Sequence, residues 1–185
     1  MIVSSAVFIV ICVAAVNARS ELVSFQKDAY QSSLFDQTKG PERAVDGKTS
    51  SPSSCFHTTS AAINWWYVDL EQIYPISLIE LYNRLDCCSN RARNITVLVG
   101  DSLNSLTQVA HYSGQIEDQQ GVFLSSTVDG RYVKVIQKAN DYFHLCEVKV
   151  WAYYPDENDG DYLLLITSSD SIDSLLLVTI SFFNK

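Results

Sequence analysis

Leu145-Cys146-Glu147-Val148-Lys149-Val150 decides the fold class. Cys146, Val148 and Val150 fall on one face, Glu147 and Lys149 on the other. A period of two marks a strand with one side buried. The same period recurs in Asn94-Ile95-Thr96-Val97-Leu98-Val99-Gly100, with Ile95, Val97 and Val99 on one face. Arg131-Tyr132-Val133-Lys134-Val135-Ile136 turns Val133 and Val135 inward. Trp65–Leu70 and Ile76–Tyr82 read as two more deeply buried strands. Gly, Asn, Asp and Ser punctuate the runs, and no body segment holds a helical period beyond a turn or two. This patterning predicts an all-β sandwich.

Outward from these strands, the two ends of the chain differ from the body. Residues 6–16 form an apolar run too short to span a bilayer. Val16-Asn17-Ala18 then supplies the small residues of a cleavage site. Residues 1–18 therefore read as a signal peptide, and the chain as secreted and extracellular. Cleavage removes Cys12 and leaves Cys55, Cys87, Cys88 and Cys146, an even count that predicts two disulfides. The formal charge is −8, but residues 156–185 hold six acids and one lysine, a net of −5, against −3 for the body. With no basic run, nucleic acid is excluded as a partner. Residues 19–154 are one domain's worth of chain. Residues 155–185 read as an acidic linker and a poorly ordered tail. Its two apolar pieces are parted by Asp170 and Asp173, which argues against a membrane span.

Within 35 residues lie His57, Arg84, Asp86, Cys87, Cys88 and Arg91, at intervals that match no metal or nucleophile motif. A His followed 27 positions on by Arg-x-Asp, and five beyond the Asp by a second Arg, resembles the signature of the F-type (eel agglutinin-like) lectins. The resemblance extends over residues 22–152. It runs through Ala29-Tyr30-Gln31-Ser32-Ser33, Ala44-Val45-Asp46-Gly47, Ser54-Cys55-Phe56-His57, Trp65–Leu70, Gly130–Val133 and Leu145–Val148, in that order. It implies a discoidin-like (galactose-binding-like) β-sandwich jelly roll. It also implies binding of terminal L-fucose on cell-surface or glycoprotein glycans, for innate immune recognition or cell adhesion. The alternative is a discoidin-type adhesion or gamete-recognition module without sugar binding.

A neutral sugar offers hydroxyls, a ring oxygen and C–H patches. Arginine answers the hydroxyls with a planar fork of donors that stays charged. The resemblance makes His57, Arg84 and Arg91 the direct donors, with Asp86 holding an arginine fork in place. Adjacent Cα atoms stand ~3.8 Å apart, short of the ~4.4–6.8 Å usual across a disulfide. Geometry alone therefore favours pairing Cys87 and Cys88 with Cys55 and Cys146. The resemblance instead implies a Cys87–Cys88 bridge serving as an apolar plate for the sugar, and a structural Cys55–Cys146 bridge. The loop Gly47–Ser53 is short and lacks an aromatic, so Leu34 and Phe35, or Phe56, are candidates for the wall facing the fucose methyl.

The resemblance also implies a structural calcium ion. Its ligands would be the carboxylates of Asp46 and Glu147, carbonyls near Arg43, Lys48 and Cys146, and Ser54, a hard oxygen set suited to Ca²⁺. Asn94-Ile95-Thr96 is an N-glycosylation sequon. Nothing matches a hydrolase elbow, a zinc-protease helix or a phosphate loop, so an enzyme is not expected. A single sugar site binds weakly, which predicts a homo-oligomer for useful avidity.

Overall fold

The computed structural model describes residues 18–49 and 54–155, and the backbone of three strands outside them. In chain order the strands are β1 (Ile9–Val10), β2 (Arg19–Leu22), β3 (Asp28–Gln31), β4 (Asn64–Tyr82) and β5 (Arg93–Gly100). They continue with β6 (Leu106–Gln115), β7 (Gln119–Gln137), β8 (Glu147–Tyr154), β9 (Asp161–Ile166) and β10 (Leu176–Ser181). Ser20–Tyr153 forms one compact unit; residues up to Arg19 and from Tyr154 form the other.

In the larger unit, β4 and β7 form a long antiparallel ribbon from Asn64↔Gln137 to Tyr82↔Gln119. Its register shifts between Asp69 and Tyr74 and again near Ser77. Glu71, at φ 71°, marks the bend. Before the bend the ribbon is flanked by β3 and by β5, which carries β6; beyond it, β4 pairs with β8, which carries β2. Bent so, one ribbon serves both layers of an all-β sandwich of jelly-roll type.

Each strand supplies one inward row. Ile95, Val97 and Val99, then Val133 and Val135, then Val148 and Val150 are buried, as their period requires. Full burial of such a side chain contributes about 1.5–3 kcal/mol. Two expectations are corrected. Trp65–Leu70 and Ile76–Tyr82 are one continuous strand, and its first half alternates, burying Trp66, Val68 and Leu70 while Trp65 and Tyr67 stay half-buried. Glu147, expected outward with Lys149, is 1% exposed, because the 46–48 loop folds over it.

In the smaller unit β9 pairs antiparallel with β10 and with β1. Both β9 and β10 lie within residues 155–185. Most of the expected signal peptide lies outside the described residues. No helix among the described residues is long and apolar enough to cross a membrane.

Candidate functional site

Side-chain amides, half-buried at Gln31 and buried at Asn64, Asn83 and Gln137, draw the loops at one end of the sandwich together. Gln31 Nε2 donates to the carbonyls of Ser33, Lys39 and His57 at 2.7, 3.2 and 3.3 Å. The 32–39 loop is further laced to His57 by Phe35 N→His57 O and His57 N→Lys39 O. Asn83, 1% exposed, accepts from Arg84 N and donates to Ser89 O, setting the 84–89 loop. Gln137 donates to the carbonyls of Arg91 and Tyr142, while its Oε1 accepts from Asn64. Buried polar groups need partners, so these amides fix the loops that carry His57, Arg84 and Arg91.

His57 is 5% exposed, and its Nδ1 stands 2.8 Å from Thr58 O. A carbonyl only accepts, so Nδ1 carries the proton and Nε2 keeps its lone pair. Burial, then the charges of Arg84, Arg91 and Lys39, hold the imidazole pKa below its ordinary value. The neutral ring therefore offers an acceptor, where the sequence reading gave it a donor's role.

Asp86 grips Arg84 with both oxygens, as expected of a carboxylate that orients a fork. The pair leaves Arg84 Nη1 outside its two hydrogen bonds. The Arg84 bond pulls the Asp86 carboxyl below its usual range. Arg91 turns elsewhere: its guanidinium lies 4.8 Å over the Tyr142 ring, with Nε 3.6 Å from Asp141 Oδ1. Arg93 Nη2 shares that carboxylate at 3.1 Å. Asp141 and Tyr142 escaped sequence reading because they lie some fifty residues beyond the spaced motif; an Asp-Tyr dipeptide carries no signal by itself.

Cys87 and Cys88 form the adjacent bridge, with Cα atoms 3.8 Å apart, and Cys55 pairs with Cys146. The geometric argument for crossing the pairs is thereby corrected. Cys88 adopts φ 61°, the turn that lets neighbouring thiols meet. Phe35, half exposed, lies 4.5 Å from the His57 ring and 5.8 Å from Tyr142. Leu34 is exposed beside it. Phe56 drops out as a wall: it is fully buried, stacked on Trp66 and edge-on to Phe143. A second imidazole, His144, is fully buried 5.3 Å from His57, and its pKa is pushed down to about 3, first by burial.

On the other side of Cys55–Cys146, Gly47 N donates to both oxygens of Glu147 at 3.2 Å. Gly47 reaches this approach at φ +83°, which favours glycine. Burial, then the Asp46 charge, pushes Glu147 up to about 7. Lys48 N donates to Asp46 Oδ1, with Lys48 Nζ 3.5 Å from Oδ2. Ser54 is buried beside the bridge. A buried carboxylate under the charge of a second one is an arrangement a hard cation would relieve, so these residues fit Ca²⁺. Among the described residues no three His, Cys, Asp or Glu side chains cluster as metal ligands, so the remaining donors would be main-chain and hydroxyl oxygens. The Asn94 amide, in the sequon, donates to Lys138 O.

Residues 43–135 match the family model described as NedA-like, galactose-binding domain. The chain is similar to Fucolectin-5 and Fucolectin-1 of Anguilla japonica, 37% and 36% identical over 123 residues each. Each match takes in 62% of this chain, with 65% and 69% of the respective relatives, so the first is spanned over less than two thirds of its length. Among solved structures, the fucolectin from Morone saxatilis serum superposes with a TM-score of 0.68 at 29% identity, covering 77% of this chain and 52% of that one. The lectin domain of lectinolysin, complexed with Lewis B antigen, gives 0.65 at 32% identity, covering 70% and 95%.

Proposed function

The chain belongs to the F-type lectin (fucolectin) family, and on that premise we propose that it binds terminal L-fucose on glycans. The observation that carries the reading is the convergence of His57 with Arg84 and Arg91, which flank the Cys87–Cys88 bridge on the β4–β5 connection. The curated relatives are fucolectins, and the lectinolysin domain was solved with Lewis B antigen. No catalytic step is needed for this role.

The chemistry follows from donor and acceptor placement. A sugar hydroxyl donates to His57 Nε2 while accepting from the Arg84 or Arg91 guanidinium. Each bond polarises the other, and a hydrogen bond to a charged group contributes about 1.5–3 kcal/mol. A site that both gives and takes demands a hydroxyl, since an ether could only accept. Asp86 and the Tyr142 ring hold the two forks, which lowers the ordering cost on binding. Cys87–Cys88 offers a flat apolar face to sugar C–H groups, and Phe35, with Leu34, supplies a wall for the fucose methyl.

Asp46 and Glu147, with oxygens near Arg43, Lys48, Ser54 and Cys146, would hold a structural Ca²⁺. The ion would supply charge that locks the 46–48 loop onto β8, while this chain's own side chains contact the sugar. Support comes from the burial of Glu147 beside a second carboxylate. We also propose a secreted protein, for innate immune recognition or cell adhesion, assembled as a small oligomer. The serum origin of the bass lectin and the two disulfides support export. One site binding at ~1 mM to ~1 μM corresponds to about −4 to −8 kcal/mol, which multivalency would reinforce.

Immobilised L-fucose tests the proposal. Retention of the chain, with elution by free fucose and not by galactose, is expected. A folded, calcium-loaded, oxidised sample that ignores fucose would sink it and leave the adhesion-module alternative.

A further inference from the structure

We propose that Arg91 and Arg93, sharing the single carboxylate of Asp141, form an anion subsite at the rim of the sugar site. It would take a sulfate ester or carboxylate carried by the sugar next to fucose. The inference rests on the fucose reading above and names a class of glycan within it.

The argument is one of charge accounting around two forks. Arg84 has Asp86 to itself, two hydrogen bonds to two oxygens. Asp141 instead faces two guanidiniums: Arg93 Nη2 at 3.1 Å and Arg91 Nε at 3.6 Å. The longer separation exceeds a hydrogen bond. Asp141 Oδ1 is also engaged by Tyr142 N at 2.8 Å. Arg93 spends Nη1 on a neutral carbonyl, Asn90 O, at 2.8 Å. Two positive charges against one negative leave one positive charge over. Both side chains reach solvent, at 28% and 37% exposure.

Of the pair, Arg91 is near enough to the sugar site for its charge, after burial and with Arg84, to help hold the His57 pKa below its ordinary value. The excess is local, because the chain as a whole carries −8. A guanidinium fork matches sulfate and carboxylate in plane and spacing, and is weakly hydrated. Arg91 is thus poised between two tasks, giving one edge to fucose and sharing the other side of Asp141 with Arg93. Where the neutral sugar site ends, the anion subsite begins.

The test is titration calorimetry of the full chain against three ligands. They are a neutral fucosyl trisaccharide, its sulfated counterpart and its sialylated counterpart. Each is measured at ionic strengths of about 0.01 M and about 1 M, where the Debye length falls from about 30 to about 3 Å. At low salt at least one anionic ligand should bind about fivefold more tightly than the neutral one, the upper range for an exposed charge pair. The gap should close at high salt. Arg93→Gln should remove it while leaving the neutral ligand's affinity unchanged, and Arg93→Lys should restore part of it. Which anionic ligand gains identifies the source. Equal binding of all three would overturn the subsite and leave the fucose reading standing. A preference that survives in Arg93→Gln would overturn the assignment to Arg93. Failure of every ligand would overturn both.

Discussion

Asp86 and Arg84 form a two-pronged ion pair, Oδ1 to Nε at 2.7 Å and Oδ2 to Nη2 at 2.8 Å, from positions only two residues apart. The geometry commits two of Arg84's donors to Asp86 and leaves Nη1 outside the pair. Arg84→Ala should abolish fucose binding with little change in Tm. Asp86→Asn keeps the shape and should weaken binding about tenfold, or ~1.4 kcal/mol, by loosening the fork. Calorimetry with thermal unfolding as the folding control checks both. Unchanged affinity in Arg84→Ala would place the site elsewhere.

Fucose binding should depend on pH through His57. The acceptor is the neutral ring, and burial and the arginines depress its pKa below 6.5. A depressed histidine pKa means the folded site resists protonation, so binding is intact above pH 6.5 and is lost as pH falls through the lower, folded value. The charged ring also repels Arg84 and Arg91. An affinity profile from pH 4 to 8 reads this out, and tighter binding in acid would contradict the acceptor role.

Phe35→Ala should reduce fucose affinity and, more tellingly, erode the preference for fucose over galactose. The ring packs on His57 and stays half exposed, so its loss removes about 1–2 kcal/mol of apolar contact without opening the core. Competition by both sugars against a fucosylated surface measures the ratio.

The two bridges should separate by function. Cys55–Cys146 closes a span of 91 residues and contributes up to about 4.5 kcal/mol through the unfolded chain. Cys87–Cys88 closes no loop. Replacing Cys55 and Cys146 by alanine should lower Tm sharply. Replacing Cys87 and Cys88 should weaken sugar binding while Tm holds. Parallel losses in both pairs would count against the plate.

Calcium should raise Tm, and more at pH 8 than at pH 5. Without metal, Glu147 titrates near 7, above its ordinary value. A carboxyl with a raised folded pKa stabilises the fold fully below its unfolded pKa of about 4.5, and that contribution fades as pH rises through 7. The ion replaces the proton, so its effect grows over the same window. Differential scanning with chelator and with added calcium decides it. A Tm indifferent to both would remove the ion from this loop.

The strand periods at Asn94–Gly100, Arg131–Ile136 and Leu145–Val150 determined the class of fold by themselves, because alternation is a local property of extended chain. The interval from His57 to Arg91 likewise marked out the candidate site residues, since the spacing is written in the chain. Tertiary structure alone decided the remainder. It joined Trp65–Leu70 and Ile76–Tyr82 into one strand bent at Glu71, and it drew Glu147 under a loop a hundred residues away. It gave Arg91 to Asp141 and Tyr142, and it set the Nδ1 proton of His57 on Thr58 O. Each of these depends on which groups meet across the sandwich end and on which partner takes a proton there. Neither is encoded in any short stretch of residues.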